Sequence, residues 1–364
     1  MANRNSPKPI IISADFGYGM TKAFNGKQFI GVNSLIGEPT KIRFNPHMKS
    51  ETISKPDLTW INCEIDGIKR FIGELALRQS SLVYQILDKD KIKYNETAYL
   101  MKAVIGLIAP NNSVISLITG LPVAYYDDKQ KEILAQTLKG KHVVRFDWDR
   151  NNTYKYTIEY IIKDVKVIPQ PMGTFFDFIL NTKGKLNKEA VGEELLQSFI
   201  DGTVAIIDIG YGTTDFCVVK ELEYIERSSG SLDKAMGTVF EIIANELIQY
   251  SGMTIPIHIL TDAVIKRGNI TLDGKIYDLK DITYRALKSV FDEILISIKA
   301  AWRTEYQIDY YIITGGGSIT MRSFFQEELG GKGTLYTPKS AVFSNVMGYW
   351  KYRLMEEQNE NSKK

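Results

Sequence analysis

The chain has 364 residues, and its content of 44% hydrophobic and 24% charged residues is that of an ordinary globular protein, which excludes a disordered or fibrous class. Its 45 basic and 43 acidic side chains leave a net charge of +2, so the composition gives no electrostatic reason to expect nucleic acid or a membrane as an obligatory partner. The length predicts two domains.

The amino-terminal part predicts a β-meander. Residues 10–15 form an apolar run of strand length that enters the turn Phe16-Gly17-Tyr18-Gly19. A strand over residues 21–24 follows, and Asn25-Gly26 is a strong hairpin signal before a third strand over residues 27–32. Residues 38–69 contain three prolines and predict short strands and loops of a small inserted subdomain.

Helices and strands alternate in the middle of the chain, as shown by apolar spacing and by glycine and proline breaks. The elements predicted in order are a helix over residues 95–108, a strand over 114–122, a helix over 126–139, a hairpin-like pair of strands over 142–148 and 155–162, and a strand over 165–168. The segment Pro169-Gln170-Pro171-Met172-Gly173 then interrupts the pattern before a helix over residues 174–181.

The second half restarts with the pattern of the opening meander. The elements predicted in order are strands over residues 203–208, 214–220 and 223–226, helices over 231–250 and 279–306, a strand over 310–314, and a helix over 341–357. The first two of these strands enclose a glycine turn, as the first two strands of the chain do. One such meander in each predicted domain indicates an internal repeat.

Both glycine turns have a pattern that suits phosphate binding, because each follows an aspartate at the end of an apolar strand. Glycine lets the backbone take open dihedral angles and approach phosphate oxygens with no Cβ between them. Hydroxyl groups after such a turn can donate hydrogen bonds to phosphate, and a lysine can neutralise its charge. The residues predicted to contact phosphate are Gly17, Tyr18, Gly19, Thr21 and Lys22 in the first turn and Gly210, Tyr211, Gly212, Thr213 and Thr214 in the second.

The two aspartates, Asp15 and Asp208, are predicted to hold Mg²⁺ through its water shell, because Mg²⁺ prefers a few carboxylates together with waters and phosphate oxygens. One such turn alone would be explained equally well as a β-turn whose aspartate accepts backbone hydrogen bonds. Two copies, one in each predicted domain, favour a nucleotide cleft with a phosphate turn on each wall. Tyr18 and Tyr211 either lie over the phosphates or pack at the domain interface.

A third glycine segment, Gly315-Gly316-Gly317, ends the predicted strand over residues 310–314. A flat nucleoside can lie against backbone that carries no side chain, so these three residues are predicted to contact the base. The alternative is a glycine-rich loop that leads into a helix. The position of this segment after both phosphate turns favours the nucleotide.

In this order, five segments resemble the phosphate-1, connect-1, phosphate-2, adenosine and connect-2 motifs of the actin, hexokinase and heat-shock chaperone superfamily. Connect-1 would be residues 168–173, and connect-2 would be Asn345-Val346-Met347-Gly348-Tyr349. The resemblance implies an α/β fold of two ribonuclease-H-like domains with mixed five-stranded sheets and an interdomain nucleotide cleft. Domain I would hold residues 1–170, with residues 345–364 packing back onto it, and domain II residues 171–344.

The resemblance also implies roles for single residues. In the superfamily a Gln or Glu of connect-1 positions the attacking water, which points to Gln170 as a catalytic residue together with Asp15 and Asp208. The alternative for Gln170 is a loop residue between two prolines. A helix such as that over residues 231–250 contacts the adenosine in this superfamily, which points to Glu241, although a solvated helix face explains Glu241 equally well.

Within the superfamily, the short two-domain form, Gly120-Leu121-Pro122-Val123 and the Gly-Tyr-Gly turns look most like plasmid-segregating actin homologues of the ParM type. This implies an ATPase that binds ATP, or GTP in its place, with Mg²⁺ and polymerises into filaments. Its partners would be further copies of itself and a DNA-bound adaptor protein. The alternatives are a sugar-kinase-type phosphotransferase and a cytoskeletal scaffold with little turnover.

We expect this protein to be cytoplasmic. Its two cysteines, Cys63 and Cys217, stand alone and suggest neither a disulfide framework nor a metal site. The first residues lack the apolar core of a signal peptide, and no apolar run approaches the roughly 20 residues that span a bilayer.

Overall fold

The computed structural model describes residues 8–43, 57–85, 95–148, 150, 154–303 and 307–362. The chain divides into two compact units, which we call unit 1 (residues 1–190 and 343–364) and unit 2 (residues 191–342). Within the described residues, no helix is both long enough and apolar enough to cross a membrane.

The strands and helices are numbered separately in chain order. The strands are β1 (Ile10–Phe16), β2 (Met20–Phe24), β3 (Phe29–Asn33), β4 (Leu35–Gly37), β5 (Ile61–Ile65), β6 (Ile68–Ile72), β7 (Val83–Gln85), β8 (Ser113–Leu121), β9 (Gly140–Phe146), β10 (Tyr156–Pro169), β11 (Thr203–Ile209), β12 (Thr214–Lys220), β13 (Glu223–Leu232), β14 (Asn269–Leu272), β15 (Lys275–Asp278), β16 (Tyr310–Thr314) and β17 (Thr334–Tyr336). The α-helices are α1 (Glu74–Gln79), α2 (Asn95–Ile108), α3 (Asp128–Leu138), α4 (Gln170–Ile179), α5 (Lys188–Val191), α6 (Glu193–Asp201), α7 (Met236–Ser251), α8 (Ile257–Asp262), α9 (Lys280–Ala301), α10 (Ser318–Leu329) and α11 (Ser344–Ser362).

The described strands of unit 1 form one ten-stranded sheet in the order β3-β2-β1-β8-β10-β9-β5-β6-β4-β7. The prediction of five strands was wrong for this sheet because β10 is long enough to pair along both edges. Its first half pairs with β9, and β9 continues the sheet into β5. The strands predicted separately over residues 155–162 and 165–168 are therefore one strand, with an irregularity between Ile162 and Asp164.

The described main sheet of unit 2 has five strands in the order β13-β12-β11-β16-β17, as predicted for this half of the chain. It repeats the first five positions of the larger sheet. In both sheets the first strand pairs antiparallel with its successor and parallel with a later strand, namely β1 with β2 and β8, and β11 with β12 and β16. The structure thus confirms the internal repeat of the β-meander.

Alternation along β1 determines which side chains reach the hydrophobic core. Ile12, Ala14 and Phe16 are buried in one core with residues of α2, whereas Ser13 and Asp15 point to the other face of the sheet. On that face the Ser13 hydroxyl donates to the Val346 carbonyl of α11 at 2.7 Å. The polar end of β1 therefore lies on the face that α11 covers.

Two helices begin four or five residues away from the predicted position. Helix α4 begins at Gln170 rather than residue 174, because a proline in the first helical turn removes an N–H that has no partner within the helix. Helix α7 begins at Met236 rather than residue 231, because Ser231 and Leu232 continue β13 along β12. Gln170 is consequently a helical residue and not part of a loop.

Helices α4 and α11 of unit 1 contact each other through their backbones. A Cβ atom built on Gly348 would lie 1.6 Å from the Gly173 carbonyl oxygen, and one on Gly173 would lie 2.6 Å from the Asn345 carbonyl oxygen. An ion pair between buried Lys351 and partly buried Asp177 follows along the same contact, since Lys351 Nζ lies 2.6 Å from Asp177 Oδ1. Only glycine at the crossing allows this approach.

We expect the substitution Gly348→Ala to destabilise the protein, because the added methyl group meets main-chain atoms of α4. Overpacking of this kind costs about 1–3 kcal/mol, and a main-chain obstacle favours the upper end. Gly331→Ala is the matched control, because a Cβ there would have no atom within 4 Å. Urea unfolding measures both variants, and a wild-type midpoint for Gly348→Ala would contradict the described contact.

Candidate functional site

The first glycine turn, between β1 and β2, places an acidic group next to a basic one. Asp15 and Lys22 are paired residues of the two antiparallel strands, and Lys22 Nζ lies 2.9 Å from Asp15 Oδ2. The other carboxylate oxygen, Asp15 Oδ1, accepts a hydrogen bond of 2.8 Å from Gln170 Nε2. Asp15 and Gln170 are both buried. The structure therefore brings together three predicted site residues that are up to 155 positions apart in the sequence.

The remaining residues of this turn determine its shape. A Cβ on Gly17 would lie 2.8 Å from the Met20 carbonyl oxygen, so a side chain at this position would press on the backbone of the turn. Thr21 is buried, and its hydroxyl is 2.9 Å from Ser34 Oγ, which itself donates to the Gly17 carbonyl at 2.6 Å. Tyr18 is buried as well. Lys22 shares a face of the sheet with its partner Asp15, and Thr21, its neighbour in β2, points to the other face. The hydroxyl of Thr21 thus stabilises the turn from the side opposite to Asp15.

The second glycine turn, between β11 and β12, is closed by its own backbone. The Gly210 amide donates to the Thr213 carbonyl at 2.9 Å, and a Cβ on Gly210 would lie at the same distance from that oxygen. The Tyr211 carbonyl accepts a hydrogen bond of 2.7 Å from the Gly237 amide in the first turn of α7. Thr214 is fully buried, and its hydroxyl donates to the Lys234 carbonyl at 2.7 Å. The turn is therefore held between β12 and α7.

Charge distinguishes the second turn from the first. Asp208 is paired across the strands with Asp215, at the position where Asp15 is paired with Lys22. Like charges that lie directly opposite are unfavourable, and hydroxyl donors offset this cost at Asp215, which accepts from Thr213 Oγ1 at 2.9 Å and from Ser231 Oγ. Burial raises the pKa of the neighbouring Cys217 thiol, and the charges of Asp215 and Asp208 raise it further. The second turn thus places two carboxylates opposite each other, whereas the first places a carboxylate opposite a lysine.

The third glycine segment lies beside Asp208 within unit 2. Gly315 has a φ of +82°, and a Cβ there would lie 2.4 Å from Asp208 Oδ1. The Gly317 amide donates to the Ile209 carbonyl at 2.9 Å. Gly316, between them, is exposed, and a Cβ on it would have no neighbour within 4 Å. This segment is therefore adjacent to the second turn and presents one glycine with open space beside it.

The structure places Glu241 on α7, in the turn that follows Gly237, and its side chain is exposed. Two other polar residues near this helix are engaged in ion pairs, because Lys234 Nζ lies 3.0 Å from Glu293 Oε2 and Glu246 pairs with Arg285. A contact of Glu241 with a base stays a prediction.

The donors around Asp15 permit a hydrated metal ion better than a directly bound one. A carboxylate has about four lone-pair positions, and Lys22 and Gln170 occupy one position on each oxygen of Asp15. Mg²⁺ usually keeps several of its waters, so a carboxylate that already accepts hydrogen bonds can hold it through its water shell. In the part of the chain that the structure describes, no three His, Cys, Asp or Glu side chains form a metal-binding cluster.

Two residues that stabilise the turns were absent from the predicted site, namely Ser34 and Ser231. Both are serines on a strand or its end that reach a turn through strand pairing: Ser34 bonds to Thr21 and Gly17, and Ser231 bonds to Asp215. No local motif distinguishes such serines from others in the sequence. Only the strand register would have indicated them.

The fold is that of several solved structures of actin-like proteins. A 15-stranded ParM filament from Clostridium botulinum is 22% identical, with a TM-score of 0.77 over 95% of this chain and 99% of that chain. An archaeal actin homologue in complex with ADP is 18% identical, with a TM-score of 0.72 over 94% of this chain and 99% of that one. Bacillus thuringiensis ParM with AMPPNP is 14% identical, with a TM-score of 0.65 over 98% and 100%. At these identities the likeness shows the fold alone.

Family profiles extend this likeness to the sequence. The profile of the actin-like proteins N-terminal domain matches residues 13–173, and that of the archaeal actin homologue MreB-like, C-terminal, matches residues 206–327. The chain therefore belongs to the actin-like protein family. None of the curated protein sequences matches it significantly.

We expect Lys22→Ala to destabilise the protein, because the buried carboxylate of Asp15 then loses its cation. An unpaired buried charge costs about 1–3 kcal/mol where some solvent reaches the partner's position, as at half-buried Lys22. Lys27→Ala, which removes an exposed lysine of the same hairpin, is the control. Thermal unfolding followed by circular dichroism compares them, and identical midpoints for the two variants would refute a stabilising ion pair at Asp15.

Proposed function

We propose that the chain is an actin-like ATPase that binds a nucleoside triphosphate through its two glycine turns and assembles into filaments. The observation that carries the proposal is the contact of Gln170 Nε2 with Asp15 Oδ1 in unit 1, because it places the proposed catalytic glutamine beside the carboxylate that precedes the first glycine turn. In unit 2, the glycine segment at Gly315 lies beside Asp208.

Three kinds of group would bind the nucleotide. The main-chain amides of both glycine turns would donate to phosphate oxygens, as oriented amides do in other phosphate sites. Mg²⁺, when bound, would neutralise phosphate charge, with Asp15 and Asp208 accepting hydrogen bonds from its water shell. The open backbone at Gly316, together with Glu241 on α7, would contact the base of ATP, or of GTP in its place. The solved relatives with ADP and with AMPPNP support a nucleotide ligand.

Gln170 would orient the attacking water for hydrolysis. Its amide oxygen is an acceptor, while its amide nitrogen donates to Asp15, so the hydrogen bond to Asp15 fixes which end of the amide is available. Holding a nucleophile in a reactive geometry is a large part of catalysis in phosphoryl transfer. Gln170 can perform this role without changing its own protonation state.

Filament assembly would depend on the bound nucleotide. A ligand shifts a conformational equilibrium only if it binds one state better, and the γ-phosphate supplies such a difference between ATP and ADP. The ParM filament among the solved relatives supports self-association. Segregation of plasmid or other DNA through a DNA-bound adaptor protein, in the cytoplasm, is the use that we propose for the filament.

The substitution Gly316→Ala separates base binding from folding. Its methyl group meets no protein atom, so we expect wild-type thermal stability. If a base lies against this backbone, the methyl group occupies its space, and nucleotide affinity should fall about tenfold, or about 1.4 kcal/mol. Calorimetric titration with ADP and Mg²⁺ measures the change, with Gly331→Ala as the control for an equally open glycine. Wild-type affinity in Gly316→Ala would contradict the proposed base site.

Light scattering tests filament formation. We expect the signal to rise at micromolar protein concentration when ATP and Mg²⁺ are added together, and to fall as phosphate is released. Each ligand alone is the control. A flat signal with nucleotide bound would refute filament formation. ADP release that requires a hexose would instead indicate a sugar kinase, and a stable polymer without phosphate release would indicate a scaffold.

A further inference from the structure

We propose that Tyr349 is a positioning residue for hydrolysis, which acts by fixing the main chain of Gln170. This inference rests on the proposed role of Gln170. Tyr349 lies on α11, is fully buried, and its hydroxyl donates to the Gln170 carbonyl oxygen at 3.3 Å. It would touch neither nucleotide nor water, so its effect would pass through Gln170 alone.

Two glycines make room for the Tyr349 ring. A Cβ on Gly120, in β8, would lie 2.0 Å from Tyr349 Oη and 3.0 Å from Gln170 Cγ. A Cβ on Gly173, in α4, would lie 2.4 Å from the ring carbon Cε1 of Tyr349. Any larger residue at either position would displace the ring. The Tyr349 side chain therefore occupies a space that the glycines of β8 and α4 leave unfilled, beside the aliphatic part of the Gln170 side chain.

The side chain of Asn345 forms further hydrogen bonds to α4, one helical turn after Gln170. Asn345 Oδ1 accepts from the Thr174 amide at 3.2 Å and from the Thr174 hydroxyl at 2.8 Å. Asn345 and Tyr349 are four residues apart on α11, as Gln170 and Thr174 are on α4, so each pair lies on one face of its helix. The first turn of α4 is thus held at two points by one face of α11.

Gln170 is the first residue of α4, where a helix frays most readily. The Tyr349 hydroxyl holds the carbonyl of this terminal residue, and the Gln170 side chain then reaches Asp15 from a fixed main chain. A displacement of about 1 Å in a catalytic geometry can lower a rate by about 100-fold. Removing a single hydrogen bond to the main chain should therefore affect turnover more than it affects binding.

Tyr349→Phe in the full chain keeps the ring in place and removes only the hydroxyl. We expect kcat for phosphate release to fall about tenfold, with affinity for the non-hydrolysable analogue AMPPNP within about twofold of wild type. Tyr160→Phe is the matched control, because it also removes a hydrogen bond from a buried tyrosine hydroxyl to a main-chain carbonyl, that of Lys102 at 2.7 Å. Tyr160→Phe should keep the wild-type kcat.

A double-mutant cycle separates positioning from general loosening of the fold. If Tyr349 acts through Gln170, Tyr349→Phe should lower kcat in the wild type and leave it unchanged in the Gln170→Ala background. An equal fall in both backgrounds would overturn the inference, as would an equal fall in Tyr160→Phe.

The same experiment shows which proposal fails. If Tyr349→Phe has the wild-type kcat while Gln170→Ala has a lowered kcat, only the role of Tyr349 is overturned and the proposed role of Gln170 stands. A wild-type kcat for Gln170→Ala overturns the proposed role of Gln170 and this inference with it.

Discussion

The contact of the α4 backbone with the α11 backbone is the constraint on which the arrangement of unit 1 depends. Because Gly173 and Gly348 carry no side chains, the two helices approach to a distance that any Cβ would prevent. The ion pair of Lys351 and Asp177 holds the same contact further along. With α4 fixed in this way, its first residue, Gln170, comes to lie at the polar end of β1. A packing requirement between helices thus determines the position of the proposed catalytic group.

The two units share one strand-turn-strand arrangement of the backbone but place different charged residues on it. In each, a buried strand carries an aspartate next to its last residue and turns back through glycines, so the aspartate lies opposite a residue of the next strand. That residue is Lys22 in unit 1 and Asp215 in unit 2. The lysine forms an ion pair with Asp15, whereas Asp215 accepts hydrogen bonds from the hydroxyl groups of Thr213 and Ser231. The backbone arrangement is therefore repeated in the two units, but the charge of the residue opposite the aspartate is not.

Local signals explain which parts of this arrangement could be predicted from the sequence. The helix over residues 95–108 and both meanders were predicted correctly, because apolar periodicity and glycine turns are properties of a few neighbouring residues. The continuity of β10 past Ile162, the start of α4 at Gln170, and the buried hydroxyl of Thr21 were not. Each of these depends on register or on packing between segments distant in the chain, which propensity does not encode. The placement of Gln170 in the same site as Asp15 was implied only by resemblance, and their direct contact was not predicted.

The central claim is that both glycine turns bind phosphate. A crystal structure of the protein with Mg²⁺ and AMPPNP tests it most directly. The account predicts phosphate oxygens within hydrogen-bond distance of main-chain amides in residues 17–19 and in residues 211 and 212, with Asp15 and Asp208 contacting waters of the metal ion rather than the ion itself. Phosphate groups bound away from either turn would contradict it.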